Sequence, residues 1–252
     1  MSIHAIDSNT DAVTQAKIDL AAALRLAVYH ELEEGIDNHF TVTVPGYDDR
    51  YLVLPFGLHW SEARASDMIT FNEAGETLEG DGTVELSAQC IHAPIHRISG
   101  KRVVLHTHQN WALALNMLED NRLVIACQTS AFFANRIVYD DHYPGTADTL
   151  EEGERLASLL GDGEIIFLKN HGVLVADDSL ARAYRRLYLL ERVCRAQIRA
   201  MSTGQKLAPI SEAVIQQVQT PDDSDRHKGR RDQLYFEAMK RVLDREMPGY
   251  AD

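Results

Sequence analysis

The stretch Val103–Leu115, VVLHTHQNWALAL, constrains the fold more than any other part of the chain. An apolar run ends in two histidines one residue apart and leads at once into a segment with helix-like spacing. If the strand continues through His108, alternation sends His106 and His108 to the same face, about two strand steps apart. Two imidazoles that close repel each other when protonated and suit a shared metal ion when neutral.

The 252 residues are enough for one large domain with a full core. A formal net charge of -13 argues against nucleic acid as a partner, because phosphate backbones require a basic face. No segment approaches the roughly 20 apolar residues that span a bilayer. The N-terminus, MSIHAIDSNTDAVTQAK, lacks a basic start followed by an apolar stretch. A cytoplasmic protein without membrane contact is expected. Cys90, Cys127 and Cys194 are odd in number and widely spaced in apolar surroundings, which reads as free buried thiols in a reducing compartment.

Along the chain, TDAVTQAKIDLAAALRLAVYHELEEG carries helical spacing and stops at Gly35. HFTVTVPG and RYLVLPFG alternate like strands closed by turns. SAQCIHAPIHRI is ambiguous, although Ile91, Ile95 and Ile98 share a helical face and Pro94 suits a first turn. A helix from about Trp111 to Glu119 precedes a strand in RLVIACQ. A helix around ADTLEEGERLASLL leads to the strand EIIFLKN and its hairpin return HGVLVA. The long helix that follows is capped by Ser179 and runs to Gly204. One domain is expected over residues 1–220. Residues 221–252 read as a polar tail and an amphipathic helix that packs on the domain or on a neighbouring subunit.

A third histidine, His171, sits where an apolar strand delivers Asn170, His171 and Gly172 to a turn. Three neutral imidazoles with an open fourth position make a catalytic type of divalent-metal site, since the open position is where a water or substrate oxygen is polarised. Zinc is the first choice for such a set, with Mn2+, Co2+ or Fe2+ as other occupants. Spacing alone leaves solvated or core-bonded histidines as the alternative.

LHTH followed by a helix, and LKNHGVLV followed by a long helix containing LERVCRAQ, resemble the class II aldolase/adducin family. EGIDNHFTVTVPG, YLVLPFGLHWSEARASDMI and IHAPIHR fall in the family's order, and the resemblance runs from the N-terminal helix to about Ala200. It implies an α/β/α domain with a mainly antiparallel central sheet flanked by helices. It further implies a homotetramer with metal sites near subunit interfaces, and it maps the three metal histidines onto His106, His108 and His171.

The departures from the family pattern bear on chemistry. Its sugar-phosphate aldolases hold phosphate with hydroxyls in a turn and in a serine pair before a catalytic glutamate. Here the turn is LPFG, with Leu54 and Phe56, the pair is Leu86-Ser87, and the glutamate position is Ala88. General acid-base help is commonly worth about 10² to 10⁴ in rate, so a substitute is needed, for which Glu85, Gln89 and His92 are the candidates. Asn38, Phe56, Gly57 and Ser87 are read as substrate-binding, and the resemblance places His39 beside Asn38 in the loop that lines the pocket, with ordinary turn chemistry as the alternative for that pair. His92 and His96, four apart, otherwise read as a helix-surface and a packing histidine, and Tyr139, Tyr143 and Tyr250 as amphipathic packing residues or proton donors. The pattern is similar to the adducin-like branch with its metal histidines kept. The expected function is a metal-dependent lyase (aldolase, dehydratase or decarboxylase-like) acting on a small non-phosphorylated hydroxy-carbonyl or keto acid through a metal-stabilised enediolate. The alternative is a non-catalytic adducin-like interaction module with a structural metal.

Overall fold

The computed structural model describes residues 3–220 and 230–252. Its elements begin with α1 (Ile3–Tyr29), followed by β1 (His39–Thr43), β2 (Arg50–Val53), β3 (Ile69–Asn72) and β4 (Thr77–Glu79). Next come α2 (Ala93–Ser99), β5 (Val103–Thr107), α3 (Asn110–Asn116), β6 (Ile137–Asp140) and α4 (Leu150–Leu160). The hairpin of β7 (Ile165–Leu168) and β8 (Gly172–Asp177) precedes α5 (Leu180–Met201), α6 (Glu212–Gln219) and α7 (Arg231–Glu246).

The eight strands form one sheet in the order β4-β3-β2-β1-β5-β8-β7-β6. Every neighbouring pair is antiparallel except β6 with β7. Helices cover both faces, so the chain is an α/β protein with a mixed, mainly antiparallel sheet. The strict alternation of buried side chains follows from the period of two in a strand. Val103, Leu105, Val173, Val175, Ile165 and Phe167 join the core beneath α1 and α5. Val104, Leu174, Ala176, Ile166 and Leu168 pack on the other face with Ile91, Ile95 and residues of α4. β5 is buried along its whole length because it lies between β1 and β8 at the centre of the sheet.

β1 shows the same alternation with an unexpected filling. Phe40 and Val42 enter the α1–α5 core, whereas His39, Thr41 and Thr43 face the other layer and are equally buried. A polar face on a strand usually meets water. Here the helix ending in α2 covers it. That helix begins with a π-helical turn over Ala88–His92, which runs directly into α2. Pro94 follows this π-helical turn directly, at a point of the continuous helix where its missing N–H interrupts the intrahelical hydrogen-bond ladder.

Several sequence expectations are corrected. RLVIACQ is extended but pairs with no strand, because its amides find side chains: Leu123 N–H donates to Tyr139 Oη at 3.0 Å and Val124 N–H to Gln197 Oε1 at 2.7 Å. The edge position beside β7 belongs to β6 instead. α1 stops at Tyr29, short of Gly35, as Glu31 adopts a left-handed φ of 58° and the chain turns to bury Leu32. Cys90 and Cys194 are buried, but Cys127 is exposed in the loop before β6. His92 is no surface residue, being fully buried against β1. α7 lies on α1 and α5 of the same chain and buries Phe236 and Leu243 in their core. Most of the polar stretch before it, residues 221–229, falls outside the described residues. No helix among the described residues is long and apolar enough to cross a membrane.

Candidate metal centre and adjoining pocket

β5 carries His106 near its end, His108 follows one residue beyond it, and the tight β7–β8 turn supplies His171. Their ligand nitrogens lie within 4.8 Å of one another. The turn is built for this. Asn170 takes a left-handed φ of 57°, which asparagine tolerates better than most residues. Asn170 N–H donates to the Asn116 carbonyl at 3.3 Å, and the buried Asn116 side chain donates to the Gly172 carbonyl at 2.8 Å. Gly172 has no room for a side chain, since a Cβ there would stand 2.5 Å from the Thr107 oxygen and 2.9 Å from the His108 ring. The histidines can therefore approach only over a glycine.

Two of the three rings are oriented by acceptors behind them. The Val173 carbonyl, 3.0 Å from His106 Nδ1, can only accept, so that nitrogen carries the proton and Nε2 keeps its lone pair. The Glu34 carboxylate, 2.5 Å from His108 Nδ1, does the same for His108. The two Nε2 atoms are then 3.0 Å apart with lone pairs facing each other. Such a juxtaposition is unfavourable by itself and is relieved by a cation bound to both. Burial first, then neighbouring histidines, holds His106 well below the ordinary histidine pKa. The same causes, led by burial, lower His171 to about 4. Neutral rings with outward lone pairs are what a divalent ion requires, and the donor set fits zinc.

A narrow cleft beside this centre is lined by Asn38, His39, Pro55, Phe56, Gly57 and Glu85. The expected substrate-binding residues Asn38, Phe56 and Gly57 are thus brought together, and Ser87 stands behind them, hydrogen-bonded to His39 at 2.8 Å. Asn38 is buried, and its side-chain oxygen accepts from the amides of Glu34 at 3.0 Å and His108 at 3.3 Å, which fastens the loop before β1 to the metal strand. Phe56 is 49% exposed at the mouth.

The three candidates for the missing glutamate fall in different places. Gln89 turns away, its side chain lying over Gly75 in the β3–β4 turn. His92 is sealed behind His39, with both ring nitrogens engaged. Glu85 reaches the cleft, where its Oε2 receives the Ala88 amide at 2.9 Å and contacts the Ser87 hydroxyl. Burial opposes the charge of Glu85, but Ser87, His39 and the Ala88 amide outweigh it and hold the carboxyl below its usual range. The His39 ring neighbours both Glu85 and the metal centre: His39 Nε2 is 3.5 Å from Glu85 Oε2, and its ring centroid is 5.1 Å from that of His106. Burial also lowers the His39 pKa to about 4.

Sequence reading gave no role to Glu34, Asn116 or Glu191, whereas His39 lines the cleft beside Asn38 as the resemblance implied. Glu191 sits in α5 and accepts the amides of Trp111 at 2.8 Å and Ala112 at 3.0 Å, capping the helix that follows the metal strand. Of the tyrosines, Tyr143 lies nearest the site, its ring 6.3 Å from that of His171. Tyr139 and Tyr250 are engaged elsewhere, with the Leu123 amide and Asp244.

Residues 18–198 match the family model of the class II aldolase and adducin N-terminal domain. A class 2 aldolase-like protein of Caulobacter vibrioides is 30% identical over 248 residues, covering 96% of this chain and 94% of its own length. The crystal structure of an aldolase II superfamily protein from Pseudomonas syringae superposes with a TM-score of 0.86 at 31% identity, covering 96% of each chain. The decarboxylase NovR of Streptomyces niveus is 29% identical over 174 residues, 68% of this chain and 64% of its own.

Proposed function

The chain belongs to the class II aldolase and adducin family, and from that premise we propose that it is a metal-dependent lyase acting on a small, non-phosphorylated hydroxy-carbonyl or keto acid. The observation that carries this reading is the convergence of His106, His108 and His171 on one point, with two rings locked so that their lone pairs meet there. A divalent ion held by these rings, zinc first among the choices, supplies Lewis-acid stabilisation to paired substrate oxygens.

The chain's own residues do the rest. Glu85 is the carboxylate placed to accept or return a proton, in the stead of the glutamate that Ala88 displaces. Phe56 and Pro55 form an apolar wall that offers nothing to a phosphate, which favours an unphosphorylated substrate. Asn38 keeps the loop of Glu34 against His108 and so holds the ring in line. Resemblance to a decarboxylase as well as to aldolases makes bond cleavage next to a carbonyl the common chemistry.

The test has two parts. The purified protein is expected to hold about one divalent metal per chain, and alanine at His106, His108 or His171 to strip it with the fold retained. The metal-loaded protein is then screened against hydroxy acids, keto acids and unphosphorylated sugars. Turnover that falls by about 10² or more in Glu85→Gln supports the assignment. Full metal occupancy in His171→Ala, or turnover of sugar phosphates at about 1 s⁻¹ or faster, overturns it.

A further inference from the structure

Behind Glu85 the buried polar face of β1 forms an unbroken run of hydrogen-bonding groups that metal binding does not use. From the cleft inward the junctions are Glu85 Oε2 with Ser87 Oγ, Ser87 Oγ with His39 Nε2 at 2.8 Å, and His39 Nδ1 with His92 Nε2 at 2.7 Å. They continue as His92 Nδ1 with Thr41 Oγ1 at 2.7 Å, Thr41 Oγ1 with His96 Nε2 at 2.8 Å, and His96 Nδ1 with the Lys101 carbonyl at 2.6 Å. His39, Thr41, His92 and His96 are at most 5% exposed, so water does not complete these bonds.

The run has a direction. A carbonyl only accepts, so His96 carries its proton on Nδ1 and leaves Nε2 bare. Thr43 Oγ1 also faces His96 Nδ1, but at 3.4 Å it is the weaker partner. Thr41 must then donate to His96 Nε2, its other acceptor, the Val104 carbonyl, being farther off at 3.5 Å. Thr41 Oγ1 accepts in turn from His92 Nδ1–H, and His92 Nε2 from His39 Nδ1–H. At the other end an ionised Glu85 takes the proton of Ser87.

Both ends are acceptors, and this sets the proton count. The six junctions named above are served by five protons, one each from Ser87, Thr41, His39, His92 and His96. The vacancy falls between Ser87 Oγ and His39 Nε2, where two lone pairs face each other.

We infer that Glu85, Ser87, His39, His92, Thr41 and His96 form a directed one-proton store, with its vacancy at the Ser87–His39 junction, which takes up the proton that Glu85 removes from the substrate. When the substrate's proton arrives on Glu85 Oε2, the new O–H donates to Ser87 Oγ, and Ser87 turns its own hydroxyl proton to His39 Nε2. Five protons become six, the substrate has lost one, and every junction is filled. Return of the proton reverses the two rotations. Ser87, Thr41, His92 and His96 are positioning residues in this scheme, since none of them faces the cleft directly. The use of the proton rests on the proposed function; the direction of the store does not.

The test reads imidazole protonation sites in the full chain labelled with ¹⁵N-histidine, without substrate, by long-range ¹H–¹⁵N correlation at neutral pH. His39, His92 and His96 are expected in the Nδ1–H form, each with a bare Nε2. Thr41→Val removes one donor and one acceptor from the middle, and His92 is expected to lose its single tautomer for a mixture. Thr41→Ser and Ser87→Ala should leave His92 and His96 as in the unaltered chain, the first because the hydroxyl stays and the second because direction is imposed from Lys101. A proton on Nε2 of His92 or His96 in the unaltered chain, or an unchanged His92 tautomer in Thr41→Val, overturns the store. A chain that turns over nothing in the substrate screen yet shows these tautomers refutes the proposed function and leaves the directed run standing.

Discussion

At the residue scale the metal centre depends on side chains that never touch the ion. Glu34 fixes the His108 tautomer from behind. Partners of this kind are commonly worth about 10 to 100-fold in metal affinity. Glu34→Gln is accordingly expected to weaken zinc binding by about that factor in a competition titration, with the thermal unfolding of the metal-free protein little changed. His96 illustrates the cost of the buried polar face. Burial, partly offset by the Lys101 carbonyl, lowers its pKa from 6.5 to about 4. The folded pKa lies below the unfolded one, so the stability it contributes is complete above about pH 6.5. It is lost as pH falls toward 4, because the unfolded chain takes up the proton first. The loss is on the order of 3 kcal/mol for this residue. Urea unfolding across that range should fall less steeply in His96→Gln than in the unaltered chain; identical slopes would remove His96 from the acid response.

At the element scale two devices bring the site together. The π-helical turn over Ala88–His92 feeds α2 so that His92 and His96, one helical turn apart, reach Thr41 from two sides. The second device is the tie between α5 and α3. α3 starts where the metal strand ends, and its first amides are satisfied by Glu191 of α5 rather than by a cap of its own. Glu191→Ala leaves those amides without their partner near the core, for an expected loss of about 1 to 3 kcal/mol in chemical denaturation. If the midpoint does not move, the helix start draws its support from elsewhere.

At the scale of the whole molecule, the centre lies where the strand ends of a central sheet meet loops that remain open. Phe56 is 49% exposed, Leu86 53% and Tyr143 49%, and all three belong to segments that build or border the site. Apolar groups so placed suit a neighbouring copy of the chain. The family resemblance implies a homotetramer, and sedimentation at micromolar concentration is expected to give about four times the 28.3 kDa of one chain. A species of single-chain mass would count against an assembled site.

What the sequence determined by itself is the part that depends on local periodicity and on residue chemistry. The unbroken apolar runs Val103–Leu105 and Ile165–Leu168 marked strands, Ser179 marked the start of α5, and the spacing of His106 and His108 marked a shared face. The partnership of those two with His171 was legible only through resemblance, since spacing left core-bonded histidines open. Tertiary structure decided which strand-like segments pair. RLVIACQ has the pattern of a strand, but Tyr139 and Gln197 satisfy its amides, and the ladder goes to β6. It also decided the polar face of β1. HFTVT alternates as a half-exposed strand does, and nothing local indicates that a helix with a π turn will cover its histidine and threonines. Once covered, those groups must find one another, because an unpaired polar atom in a dry interior costs more than the bond it forgoes. His39 and Thr41 on β1 are remote in sequence from Glu85, Ser87, His92 and His96, which share one segment, and only the closing of α2 over β1 joins the two groups into one hydrogen-bonded run.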